Sequence, residues 1–345
     1  PVVLVADNLF VQTLQLVKGR NWVSPNVYND AWATDLMAIM NSFKWENGDI
    51  WTDNTNNTTM TYTDGEWMMT DPSSNFRLNP QHMYCVYVGE DKTLQMQGSI
   101  LNQDYQRTIP IKQGWNSIGY TPMVSLPVAT ALTDYFDDAA DGDVIKSHTQ
   151  FAVLTITSNN SHIWNGNLKY MHPGEGYMLL HQKDNTCEFT YPYYEPGSVF
   201  FETSFDSAED NVKDRKATTM CLAAVTEGIE LEAGDQLVAF SDGELCGNAV
   251  AQDDDGIFYM GMSAYARSQI WFAIKRGDNL IASTRETMRY EANKVIGRPN
   301  EPTTISFIHS DIAQEGWYTL SGIKLNAKPT REGIYIFNGK KVHIK

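Results

Sequence analysis

The sequence predicts a mainly β, multi-domain protein of β-sandwich-like modules, with one short helix in each of two N-terminal repeat modules. Three observations lead there. A set of landmarks recurs in order through the first two hundred residues. From Met220 onward, short apolar runs are cut by turn signals every eight to twelve residues or so, the pattern of a sandwich. The length, 345 residues, also exceeds what one hydrophobic core usually organises.

The repeat is read from four landmarks. Gly19 and Asn21 answer Gly114 and Asn116 at an offset of 95, and Gly48-Asp49-Ile50 answers Gly142-Asp143-Val144 at 94. Asn79-Pro80 with Tyr84 answers His172-Pro173 with Tyr177 at 93, and Trp67 and Trp164 lie between these marks. Residues 1–108 and 109–200 are therefore expected to share one fold, the second copy being the clearer. In it, Ile109 to Ile118 reads as a strand ending in a Gly-Trp-Asn turn. Ser125 then caps a helix carrying Leu126, Ala129, Leu132 and Phe136, which stops at Asp137 to Gly142. Short strands follow at Val144-Ile145, Phe151 to Ile156, Ile163-Trp164, Gly176 to Leu180 and Cys187 to Tyr191. The first copy matches, with a helix from Trp32 to Phe43 and strands around Ile50, Met60, Trp67 and Met83 to Val88.

Residues 201–312 are expected to form an antiparallel β-sandwich. Asp242-Gly243, Asp253 to Gly256 and Arg276 to Asn279 each separate two apolar runs, so three successive hairpins are predicted. Residues 313–345 read as a short C-terminal β-unit. Tyr318 to Ser321, Gly333 to Phe337 and Lys341 to Ile344 would be its strands, with Asn338-Gly339 as a turn.

Composition narrows function. The net charge is −16 and no basic stripe interrupts it, which argues against a nucleic-acid partner. No window is apolar for the length a bilayer requires, so no transmembrane segment is expected in the chain. Cys85, Cys187, Cys221 and Cys246 are scattered through apolar runs, where a free thiol packs as a small hydrophobe.

A family resemblance follows from particular residues. Tyr318 to Leu325, Gly333-Ile334-Tyr335-Ile336 and Lys340 to Lys345 resemble a short form of the C-terminal sorting-type domain of Bacteroidetes surface proteins. The Gly-Trp-Asn landmark, Gly142 to Ala152 and Pro173 to Met178 are similar to tandem modules of large adhesin-like proteins from the same bacteria. Asp235 to Val250 resembles a β domain that recurs beside them. The resemblance implies a secreted or cell-surface, outer-membrane-associated location and an adhesive role, with an extracellular glycan or protein as ligand. It supplies no catalytic site.

Few residues suggest other chemistry. Seven histidines show no metal-binding spacing, and no nucleophile elbow or phosphate loop is present. His172 fits a turn rather than a ligand set. Nine acids and no Lys or Arg lie between Ala217 and Gly256; Asp253, Asp254 and Asp255 are the candidate metal ligands there, with Ca²⁺ as the cation they would take. Asp137, Asp138, Asp141 and Asp143 are a second such group, although turn chemistry accounts for Asp residues equally. Trp67 and Trp164 are expected in the core. Trp45 and Trp51 have no evident counterpart in the second copy and are the candidate binding residues, since indoles stack on sugar rings. Arg276-Gly277-Asp278 spells an integrin-recognition tripeptide at a predicted hairpin tip. The expected function is non-catalytic binding or adhesion outside the cell. The alternatives are a glycan-binding module beside a polysaccharide-utilisation system and, less favoured, a carboxylate-dependent hydrolase.

Overall fold

A computed structural model describes residues 2–6, 9–30, 44–73, 76–195, 218–251, 256–307, 317–319, 324–325, 327–337 and 340–344. The chain is mainly β and divides into two compact units, Pro1–Glu209 and Asp210–Lys345. Both expected repeat copies fall within the first unit.

Copy one contributes β1 (Val2–Ala6), β2 (Leu9–Leu16), β3 (Gly19–Val23), β4 (Val27–Tyr28), β5 (Ile50–Asp53), β6 (Thr58–Thr63), β7 (Glu66–Met69), β8 (Tyr84–Val88) and β9 (Lys92–Ile100). Copy two contributes β10 (Thr108–Gly119), β11 (Leu126–Pro127), β12 (Val144–Lys146), β13 (Phe151–Ile156), β14 (His162–Gly166), β15 (Tyr170–Met171) and β16 (Gly176–Thr190). Copy one has a five-stranded antiparallel sheet in the order β3-β8-β5-β6-β7. Copy two has β10-β16-β12-β13-β14, the same order with each strand replaced by its repeat equivalent. The pairing Leu14↔Leu94 matches Ile109↔Phe189, so β2 and β9 correspond to the outer halves of the long strands β10 and β16.

Each landmark turns out to be a hydrogen-bonding device. Asn21 sends its amide to the carbonyls of Val17, Gly19 and Val86 at 2.8, 3.2 and 3.3 Å, and Asn116 does the same to Lys112, Gly114 and Leu179. Each Asn side chain thereby satisfies the carbonyls that the strand's irregularity leaves without ladder partners. Tyr84 and Tyr177 are fully buried, and each phenol oxygen accepts the N–H of the residue before the repeat proline, Asn79 or His172, at 2.7 Å. Desolvation holds both phenols well above their ordinary pKa.

Three of the four Gly-Asp pairs in the sequence build the same turn, one more than the repeat pattern suggests. Asp49, Asp143 and Asp235 each accept the N–H of the residue three before them, at 2.9, 2.8 and 2.9 Å. The preceding glycines, Gly48, Gly142 and Gly234, have φ of +94°, +85° and +88°, which a side chain would strain. Every one of the three carboxylates then meets a different partner. Lys92 Nζ reaches Asp49 at 2.7 Å, Tyr135 donates to Asp143 at 2.7 Å, and Arg276 forks onto Asp235 at 2.8 and 2.7 Å.

The helix expected in copy two is much reduced. Leu126-Pro127 is strand, and only Val128–Ala131 and the 3₁₀ turn Thr133–Tyr135 follow. Pro127 rather than Ser125 precedes the helix, and Ser125 instead bonds the His172 ring at 2.8 Å. Pro127 lacks an N–H but suits both an extended residue and a helix entrance, which explains the shift. The helix expected from Trp32 to Phe43 lies outside the described residues.

In the second unit, β17 (Met220–Glu227), β20 (Phe258–Met262), β24 (Val295–Ile296) and β25 (Thr303–Ser306) form one sheet. The strands β18 (Gln236–Ser241), β19 (Glu244–Val250), β21 (Gln269–Arg276), β22 (Asn279–Ser283) and β23 (Met288–Arg289) form another. Apolar side chains of both sheets, among them Leu222, Met260, Leu237 and Phe272, share one core. Asp242-Gly243 is a two-residue turn with φ of +51° and +83°, the conformation an Asp-Gly hairpin favours.

Two expectations for this unit change. It is not wholly antiparallel, since β17 pairs in parallel with both β24 and β25. Those strands reach β17 through long connections, and the hairpin geometry that forces antiparallel pairing acts only between sequence neighbours. The second predicted hairpin is instead a crossover: β19 and β20 belong to different sheets, and the chain there is joined by the Ala251↔Phe258 bridge and by Ser263 N–H to Cys246 O at 2.8 Å. Its acidic segment, including Asp253, Asp254 and Asp255, lies outside the described residues.

The last strands, β26 (Trp317–Thr319), β27 (Lys324–Leu325), β28 (Gly333–Phe337) and β29 (Lys340–Ile344), form a sheet ordered β27-β26-β28-β29. Trp317 stacks on Phe337 with ring centroids 4.5 Å apart, a cross-strand pair that supplies the apolar face a lone hairpin would lack. The Asn338-Gly339 turn lies outside the described residues.

Candidate functional site

The site is built where the two repeat copies meet. Ser24 N–H donates to Gly174 O at 3.0 Å, and Gly119 N–H donates to Gln81 O at 2.8 Å. Ser24 and Gly119 are equivalent positions, as are Gly174 and Gln81, so the contact is reciprocal in the manner of a two-fold interface. Gly119 is required for it: a Cβ there would lie 2.1 Å from Pro80 O. Trp22, Met83, Cys85 and Met178 pack in the seam. At its centre the fully buried Lys146 places its ammonium 5.6 Å from the Trp22 ring and 4.7 Å from the Trp115 ring.

Symmetry of the backbone is broken by side chains. On one side of the seam, Trp22 of copy one packs on His148, which comes from the β12–β13 hairpin tip of copy two; the ring centroids are 5.2 Å apart. Both side chains are buried. On the other side, the position equivalent to Trp22 is Ser117, and the matching β5–β6 tip presents Asn54 and Thr55. Small side chains thus stand where large rings fill the related place, and an open groove of about 590 Å³ results. Its floor is the outward face of β10 and β16, with Lys112, Trp115, Ser117, Thr186 and Glu188.

The wall of the groove is pre-ordered. The buried Asp53 carboxylate accepts the N–H groups of Thr55 and Asn56 at 2.9 and 3.2 Å and the Asn56 amide at 3.0 Å, while His82 Nδ1 lies 2.9 Å away. Thr55 Oγ1 donates to Ser117 O at 3.1 Å, tying the tip to the floor. Lys112 and Glu188 balance in charge. Cys187 also lines the groove, where burial, reinforced by Asp138, pushes its thiol up to about 11, so it stays protonated at neutral pH.

The residues singled out from sequence are placed elsewhere. Trp45 and Trp51 belong to the core of copy one, Trp51 being wholly inaccessible. Neither lines the groove; Trp51 offers no ring face to a ligand, while Trp45 borders a separate cavity of about 220 Å³ beside Lys44 and Lys92. They also have counterparts: strand register puts Trp51 on Ile145, and the spacing to the Gly-Asp turn puts Trp45 on Ala139, both core residues of copy two. Indoles fill in one copy what Ile and Ala occupy in the other. Trp67 is buried as expected, while Trp164 packs half-buried against its core.

Asp137, Asp138, Asp141 and Asp143 do not converge. Asp143 serves the turn, Asp141 accepts Ile156 N–H at 2.9 Å and Asp138 accepts the Asn185 amide at 3.3 Å. Among the described residues no three His, Cys, Asp or Glu side chains form a metal-holding group. His172 takes part in its turn, with burial lowering its pKa. Arg276 of the Arg-Gly-Asp tripeptide is engaged by Asp235 and, at 2.6 Å, by Glu232, with its side chain still 35% exposed.

The same pair makes a pH prediction. Arg276 holds the Asp235 carboxyl below its ordinary value of 3.8. The folded state therefore binds this proton less tightly than the unfolded chain. The stabilisation is full at neutral pH, begins to fall as pH drops through 3.8 and is gone once the folded carboxyl protonates. The Tm of the second unit should fall on acidification, and Arg276→Gln should flatten that dependence. Parallel curves for the two proteins would refute the assignment.

Ser117 and Trp115 were missed because their sequence motif, Gly-Trp-Asn-Ser, reads as a turn. Aligning the copies strand by strand carries the signal, since Arg20-Asn21-Trp22 becomes Trp115-Asn116-Ser117. No family model matches this chain, and no curated protein matches it. No helix among the described residues is long and apolar enough to cross a membrane.

Proposed function

We propose that this chain is a non-catalytic, extracellular binding or adhesion protein of a Bacteroidetes-type cell surface, and that its ligand docks in the groove between the repeats. The observation that carries this reading is the one-sided opening of an otherwise reciprocal seam. A purely structural junction has no use for a vacancy on one side only, whereas a ligand does. The volume falls within the range of small-ligand sites. Glu188 is the one carboxylate among the groove's lining residues, and the lining thiol is held protonated, which favours binding over acid–base or nucleophilic chemistry. The resemblance of the repeat landmarks and of the tail to surface adhesins supports the location.

The test is a panel of mucins, extracellular-matrix proteins and glycans presented to the immobilised chain and to a Ser117→Trp/Asn54→His variant. That variant rebuilds in the open side the pair that Trp22 and His148 make in the closed one. Ligands retained by the native chain should bind the variant at least about tenfold more weakly, with an unchanged Tm. Equal retention by both proteins, or no retained ligand, overturns the reading.

A further inference from the structure

We infer that the ligand of the inter-repeat groove is an uncharged pyranose-containing glycan stacked on Trp115. This rests on the groove being the binding site. Trp115 is half-buried and lines the groove, with the ammonium of the wholly buried Lys146 4.7 Å from its ring centroid. A flat apolar surface of that kind suits the C–H face of a sugar ring, as aromatic side chains serve at other half-wet sites. Around it stand groups that exchange hydrogen bonds without charge: the Asn54 amide and the Thr55, Ser117 and Thr186 hydroxyls. A ligand rich in hydroxyls matches such a lining, because every hydroxyl both donates and accepts.

Charge selects within the class. Lys112 and Glu188 leave the lining neutral, while the chain as a whole carries −16, so an acidic glycan gains no net counter-charge in the groove and is repelled at long range. A wholly apolar group is disfavoured too, since it would desolvate Asn54, Thr55 and Thr186 without returning hydrogen bonds. The pre-ordered tip around Asp53 reduces the ordering cost of binding.

Calorimetric and saturation-transfer titrations of the full chain with neutral oligosaccharides of glucose, galactose, mannose and N-acetylglucosamine provide the test, with sialylated and uronate-containing glycans alongside. At least one neutral glycan should bind. Trp115→Ala should raise its Kd about tenfold or more, and Trp115→Phe, which keeps a ring over Lys146, should raise it less and preserve the Tm. Affinity should be unchanged between about 0.05 and 0.5 M salt, as screening does not reach an uncharged ligand. Binding confined to acidic glycans, a strong salt dependence, or indifference to both Trp115 variants would overturn the inference. Retention of a protein ligand alone, lost in the Ser117→Trp/Asn54→His variant, would overturn the glycan assignment while leaving the groove as the binding site.

Discussion

Asp49→Ala is expected to destabilise the first unit by about 3–5 kcal/mol, the usual cost of leaving one member of a buried ion pair without the other. Asp49 is 1% exposed and Lys92 10%, with 2.7 Å between the charged atoms. Besides Lys92, the carboxylate accepts Glu46 N–H at 2.9 Å and Gly89 N–H at 3.0 Å, so the substitution strands two backbone donors and leaves the ammonium without its counter-charge, with the longer bond to Lys44 O at 3.3 Å. Guanidinium unfolding followed by tryptophan fluorescence would measure it, since Trp45, Trp51 and Trp67 sit in this core. Asp49→Ala/Lys92→Met should recover part of the loss, because it removes the orphaned charge and leaves only the backbone donors unsatisfied. A single-variant loss under about 1 kcal/mol would mean that water replaces the carboxylate and that the turn is not held as described.

Trp51→Ala should cost a similar amount, about 3–5 kcal/mol, for a different reason. The indole is fully buried, with Trp45 meeting it edge-on at 6.3 Å and Tyr84 at 5.8 Å between ring centroids. Removing it opens a cavity that β-sheet backbone on either side cannot close. Trp51→Ile, which installs the residue found at the equivalent position of copy two, should lose less. Ligand retention in the groove should survive both changes in whatever fraction stays folded. Loss of retention without loss of stability would restore Trp51 to a binding role and contradict its burial.

The landmarks that revealed the repeat are legible because their chemistry is local. Asn21 and Asn116 bond carbonyls two and four residues away, and Asp49, Asp143 and Asp235 bond the N–H three residues back. Such devices need particular residue types at fixed spacing, and a linear reading finds them. The third Gly-Asp turn escaped because the strands after it carry different side chains, although Gly234-Asp235 had the same form. Trp45 and Trp51 show the opposite case. An indole looks the same in sequence whether it faces a core or solvent, and only the register β5↔β8 shows that Trp51 points inward beside Val86.

By itself, then, the sequence determined the mainly β class, the landmarks of the repeat, the Asp242-Gly243 turn and three of the four described strands of the C-terminal sheet, since period-two alternation and turn residues act over a few residues. Three things were decided by tertiary structure alone. The parallel pairing of β17 with β24 and β25 joins residues 74 and 79 positions apart, and no local pattern encodes their direction. The breaking of the Leu126 to Phe136 helix follows from Pro127 pairing with Tyr170 across the sheet β11–β15. The groove exists because Ser117 and Asn54, in different copies and far apart in the chain, both stand where their counterparts Trp22 and His148 fill the seam. A vacancy is a property of two surfaces brought together, and neither stretch of sequence contains it.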